Sequence, residues 1–127
     1  MRTAVFTSFA SLTLGALMLA APATAQDAKQ DFRLVNRTGY EIKDVYVSPS
    51  KSDDWGDEVL GRGNRLADGQ GVNLHFNPRT RTCRWDLKVV YSVDDSKAVW
   101  SDINLCEVDK ITIHYDRQND VTRATFD

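Results

Sequence analysis

Two cysteines, three prolines, two histidines and no excess of either charge are the scarce features of this 127-residue chain. After residue 25 no apolar run approaches the roughly 20 residues that a membrane-spanning helix needs, which excludes a helical membrane protein. Sixteen Lys and Arg stand against eighteen Asp and Glu. With the signs so balanced there is no basic face to neutralise phosphates, so nucleic acid is excluded as a partner. The chain also lacks Cys-x-x-Cys, Gly-x-Ser-x-Gly and His-Glu-x-x-His, and neither His75 nor His114 has a Ser or Cys nucleophile near it in sequence. No catalytic residue is therefore assigned, and the reading is non-enzymatic.

The first 25 residues read as a secretory signal. Arg2 supplies the charged start, Ala4 to Ala20 the apolar core, and Ala23-Thr24-Ala25 the small-residue cleavage site. No cysteine beside that site offers a lipid anchor, so a released, periplasmic or secreted bacterial product is expected. Residues 26 to 31 are polar and aperiodic and read as a flexible N-terminus. Residues 32–127 then form one domain.

Cys83 and Cys106 would travel together into an oxidising compartment, where a structural disulfide is the expected state. Pairing across the turn Val93-Asp94-Asp95-Ser96 places them nearly opposite each other on a hairpin. That register sets Leu87 against Asp102 and Trp85 against Asn104, so a bulge near Ser101-Asp102, or a three-residue turn, is needed to bring Ile103 and Leu105 inward.

Alternation of apolar and polar residues marks seven short strands with no helix and no internal repeat. Phe32 and Leu34 begin the first, and Asn36-Arg37-Thr38-Gly39 reads as a hairpin turn into Tyr40, Ile42, Val45 and Val47. A bulge near Lys43-Asp44 restores the two-residue period there. A four-residue loop, Arg117 to Asp120, pairs Ile113 with Ala124 and Ile111 with Phe126. One apolar face per strand implies two packed sheets, a seven-stranded antiparallel β-sandwich; a small closed barrel is the alternative.

The surplus lies between Ser48 and Leu66, a long loop without period, and loops on a rigid scaffold commonly carry function. Its run Asp53-Asp54-Trp55-Gly56-Asp57-Glu58 offers Trp55 as an aromatic anchor and Asp53, Asp54, Asp57 and Glu58 as polar contacts for an envelope protein or glycan partner. The alternative for Trp55 is a lid over the core. Asp53, Asp54 and Asp57 also suit calcium, a hard cation bound by carboxylate oxygens, although the spacing does not match the helix-loop-helix calcium pattern. A solvated acidic loop is the simpler account. An envelope hydrolase using an adjacent carboxylate pair, Asp53-Asp54 or Asp94-Asp95, is the enzymatic alternative, but acid-base work needs burial to separate the two acids. Nothing in the sequence decides between monomer and homodimer.

The runs Leu34-Val35-Asn36-Arg37-Thr38-Gly39-Tyr40, Val45-Tyr46-Val47-Ser48-Pro49-Ser50, Trp55-Gly56, Leu60-Gly61, Asp86-Leu87-Lys88-Val89 and Asn104-Leu105-Cys106 resemble a group of small exported proteobacterial proteins of unknown function. The resemblance spans most of the chain after the signal and implies a shared β-sandwich fold. Some of those proteins carry the label argininosuccinate lyase, an activity of a much larger helical enzyme that none of these residues supports. Exported lysozyme inhibitors are a further comparison, but their Ser-Gly-x-x-Tyr loop is absent, and Thr38-Gly39-Tyr40 is a poor substitute.

Overall fold

The computed structural model describes residues 30–77 and 80–127. The signal segment and residues 26–29 lie outside them. Seven strands form: β1 (Phe32–Arg37), β2 (Ile42–Pro49), β3 (Gly71–Leu74), β4 (Arg84–Tyr91), β5 (Lys97–Asn104), β6 (Lys110–Asp116) and β7 (Val121–Phe126). They make a four-stranded sheet ordered β3-β1-β6-β7 and a three-stranded sheet ordered β2-β4-β5. No helix among the described residues is long and apolar enough to cross a membrane.

Burial follows the alternation in the sequence. Leu34, Ile42, Val45, Leu87, Val89, Leu105, Ile111 and Ile113 are almost wholly enclosed between the sheets. Removing each such side chain from water stabilises the fold by about 1.5–3 kcal/mol before chain entropy is counted. The β6–β7 hairpin has the expected register, Ile111 with Phe126 and Ile113 with Ala124. The β2 bulge falls between Ile42 and Asp44, as the broken period requires.

The antiparallel expectation needs one correction. β1 and β6 run parallel, so the four-stranded sheet is mixed. Nothing local encodes that pairing, because the two strands are separated by most of the domain.

The reading of Asn36-Arg37-Thr38-Gly39 as a hairpin turn is also corrected: β1 and β2 belong to different sheets, and this segment is a corner between them. Asn36 is fully buried there. Its Nδ2 donates to the carbonyls of Tyr40 (2.7 Å) and Leu66 (3.0 Å), while its Oδ1 accepts from the Thr38 amide and hydroxyl. Gly39 completes the corner with φ of 84°, a conformation that a side chain disfavours.

In the β4–β5 hairpin, Val90 pairs with Lys97 and Leu87 with Trp100. The connection is therefore longer than the Asp94-Asp95 pair, and the Tyr91 amide donates to the Ser96 carbonyl. The bulge does occur at Ser101-Asp102: the register shifts between Trp85 and Leu87, and Asp102 takes φ of 59°. Asp86 Oδ1 accepts the freed Asp102 amide at 2.9 Å. Beyond it, Cys83 and Cys106 form the expected disulfide, with Cα atoms 5.2 Å apart. Gln30 and Asp31 are not loose: Gln30 is buried and donates to the carbonyls of Thr80 and Thr82, and Asp31 accepts the Phe76 amide.

Candidate functional site

The long loop is first of all a brace. β2 is an edge strand, paired with β4 on one side, and an open edge carries unpaired amides and carbonyls. The loop covers that edge. The Val59 amide donates to Val45 O at 2.8 Å, and Ile42 and Leu66 exchange two backbone hydrogen bonds. Glu58, one of the expected contact residues, is engaged inward: its carboxylate accepts the amides of Val45 (3.2 Å), Leu60 (2.6 Å) and Gly61 (3.2 Å). The Ser48 hydroxyl ties in the loop's tip through Asp54 O at 2.8 Å.

Trp55 is half-buried, and the Lys88 ammonium lies 4.7 Å from its ring centroid and 4.5 Å from that of Tyr46. This places Trp55 on the outer face of the β2-β4-β5 sheet, clasping a lysine, rather than as a lid on the core. Asp53, Asp54 and Asp57 are exposed around it, with Asp54 accepting the Gly56 amide. Among the described residues no three His, Cys, Asp or Glu side chains converge as metal ligands. His75 sits beside Asp31 beyond the end of β3, while His114 lies on β6, so the two histidines do not meet.

A second feature lies at the end of the sandwich opposite the disulfide. Between the β4–β5 turn, the β6–β7 turn and the corner after β1 is a cleft of about 420 Å³. Tyr40, Tyr91 and Tyr115 line it with Asp94, Lys97 and Asp120. Its size falls in the range of roughly 300–1,000 Å³ typical of small-ligand sites. Each wall follows from local structure. Tyr91 is the last residue of β4 and keeps the inward phase of Trp85, Leu87 and Val89. Tyr115 is paired with Thr122 near the turn end of the β6–β7 hairpin. Tyr40 and Tyr115 pack edge to face, with ring centroids 5.7 Å apart, and the Arg117 guanidinium lies over the Tyr40 ring at 5.2 Å.

The hydroxyls of two of these tyrosines differ in an informative way. Tyr115 donates to Asp120 Oδ1 at 2.6 Å, a contact that pushes its pKa up to about 12. Asp120 reaches it from the left-handed conformation, φ 51°, that closes the turn. Tyr91 is only 6% exposed, and its hydroxyl meets no partner at hydrogen-bonding geometry among the described residues. Burial raises its pKa above 10.0, opposed by a hydrogen-bonding approach of the Thr122 side chain that falls outside good geometry and reinforced by the charge of Asp94. A buried hydroxyl left unpaired costs about 1–3 kcal/mol, and such groups in native proteins call for an explanation.

The sequence reading missed these tyrosines as a site. Their only signal was a tyrosine within two residues of the end of each of three strands, and strand ends meet only once the sheets are stacked.

No protein-family model matches the chain, and no curated protein matches it. Its fold is similar to that of an NMR structure of a protein from Eubacterium rectale, with 21% identity and a TM-score of 0.52, over 80% of this chain and 93% of that one. At that identity the likeness concerns the fold alone.

Proposed function

We propose that the protein is a non-enzymatic binding domain, exported to the periplasm or secreted, that seats a ligand from the bacterial envelope in the tyrosine cleft. The observation that carries this reading is the cleft itself, about 420 Å³ and lined by Tyr40, Tyr91 and Tyr115 beside Asp94, Lys97 and Asp120. Aromatic walls supply apolar contact, and few polar groups fix orientation, as small-ligand sites require.

Mass action tests this reading. A ligand that binds only the folded state raises the melting temperature. Envelope extract is expected to raise that of the wild type but not that of a Tyr91→Phe, Tyr115→Phe double variant. An equal rise in both proteins places the ligand elsewhere.

One observation favours the 48–66 loop as a second surface. Asp53 and Asp57 are exposed and form no ion pair among the described residues, beside a tryptophan already fixed by Lys88. A loop braced in this way loses little entropy on meeting a cationic patch of a protein partner.

A further inference from the structure

The two open sheets of the sandwich have four edge strands, β3, β7, β2 and β5, and an exposed edge invites pairing with another chain unless something blunts it. Three of the four are guarded. The β2 edge lies under the 50–66 loop, which bonds to it at Ile42 and Val45. β5 carries Lys97 at its start and the bulge at Asp102, where φ of 59° interrupts the ladder. β3 has only 4 residues. β7 has none of these devices: Val-Thr-Arg-Ala-Thr-Phe runs in unbroken register with β6, without proline, lysine or bulge. Val121 and Phe126, near its two ends, leave 45% and 44% of their surface in solvent.

The free backbone groups of β7 follow from its pairing. Lys110 and Asp127 exchange both backbone hydrogen bonds, so by alternation Thr125, Arg123 and Val121 also turn their amides and carbonyls toward β6. Thr122, Ala124 and Phe126 turn theirs to the open side, where no backbone hydrogen bond reaches them among the described residues. A second copy of the strand fits this edge. Two-fold pairing that continues the sheet keeps inward residues opposite inward ones, so its axis passes through a residue. An axis at Arg123 sets arginine against arginine. An axis at Ala124 leaves the two Arg123 side chains as diagonal neighbours and sets Val121 against Asp127. An axis at Thr125 sets each Arg123 directly opposite Asp127 of the other copy. Arg123 is exposed and forms no ion pair among the described residues, and the Asp127 carboxylate meets Lys110 Nζ only at 3.9 Å, so both charges are available. The same register places Phe126 against Ala124 on the inner face, and these two residues exchange their free amides and carbonyls across the axis.

We infer that β7 is a self-association edge, on which a second copy of this chain pairs antiparallel about Thr125 and joins the two β3-β1-β6-β7 sheets into one. Charge selects the register, through the reciprocal Arg123 and Asp127 pairs. One pair of strands makes a small interface, so the dimer is weak and depends on concentration. This surface is independent of the tyrosine cleft.

The test combines sedimentation of the purified protein from micromolar to millimolar concentration with amide exchange read residue by residue by NMR. A monomer–dimer equilibrium is expected. Exchange at Ala124 and Phe126 should slow as concentration rises, while that at Thr122, left unpaired in this register, stays fast. Arg123→Glu sets like charges opposite each other and should weaken the dimer about tenfold, and adding Asp127→Arg to it should restore the dimer. The wild-type exchange pattern needs no substitution, so a variant that fails to fold leaves the test intact. A monomer at every concentration overturns the proposal and leaves the edge to solvent or to a strand of another protein. A dimer whose slowed amides lie outside β7, or a folded double variant no tighter than Arg123→Glu, overturns it as well.

Discussion

Asn36 does more for this fold than its place in a turn-like sequence suggests. It is fully buried and makes four hydrogen bonds that join the end of β1, the corner and Leu66 of the loop. Asn36→Ala leaves two carbonyls and a backbone amide without these partners, so a loss of about 3 kcal/mol is expected in urea unfolding. A loss under about 1 kcal/mol would mean the corner holds by backbone bonds alone. Tyr115 is the second diagnostic residue. Its raised pKa, about 12, comes first from donating to Asp120. Because the folded value lies above the ordinary 10.0, that contact contributes fully below pH 10 and is lost as pH rises through about 12. Alkaline absorbance titration should therefore show Tyr115 ionising late, and Asp120→Asn should return it toward the ordinary value.

At the scale of elements, the 50–66 segment is an edge cover, which resolves why a small domain devotes so many residues to one loop. Glu58 is its keystone, with three amides on one carboxylate. Glu58→Ala is expected to speed hydrogen exchange at Val45, Leu60 and Gly61 while leaving the β6–β7 hairpin protected. Uniform protection across the variant would show the loop held by Val59 and Leu66 alone. The disulfide acts at the other end, closing a sequence separation of 23 residues. Reducing it should lower stability by about 3 kcal/mol in the chain-entropy account. The β6–β7 register, the β2 bulge and the Cys83–Cys106 bridge were legible because each is a local pattern of alternation, turn and spacing. The parallel β1–β6 pair and the corner at Asn36 were not. Both are set by which sheet a strand joins, a choice made by long-range packing, and a turn signal such as Asn36 to Gly39 reads alike for a hairpin and for a sheet-crossing corner.

Over the whole molecule, the carboxyls of Asp31, Asp94 and Asp116 are held below their ordinary 3.8, led respectively by the Phe76 amide, Ser96 and Asn119. Folded values below the unfolded one stabilise above pH 3.8, and that contribution is lost as the pH falls through them. Melting temperature should accordingly hold down to about that pH and then drop. Calcium separates the acidic-loop reading from the cleft. With no three acids of the loop converging, millimolar calcium should leave the melt unchanged, whereas a specific ion site would raise it. The candidate contacts Trp55, Asp53, Asp54 and Asp57 were legible because they adjoin in sequence. Tyr40, Tyr91 and Tyr115 were not, because they become neighbours only when both sheets are in place. The two surfaces lie on different parts of the sandwich, so one capture measurement from envelope extract distinguishes them. It compares wild type, the Tyr91→Phe, Tyr115→Phe variant and a Trp55→Ala, Asp57→Ala variant, all folded by their melts. The cleft account expects the captured envelope ligand to be lost by the tyrosine variant and retained by the loop variant. Retention by the tyrosine variant with loss from the loop variant would contradict it.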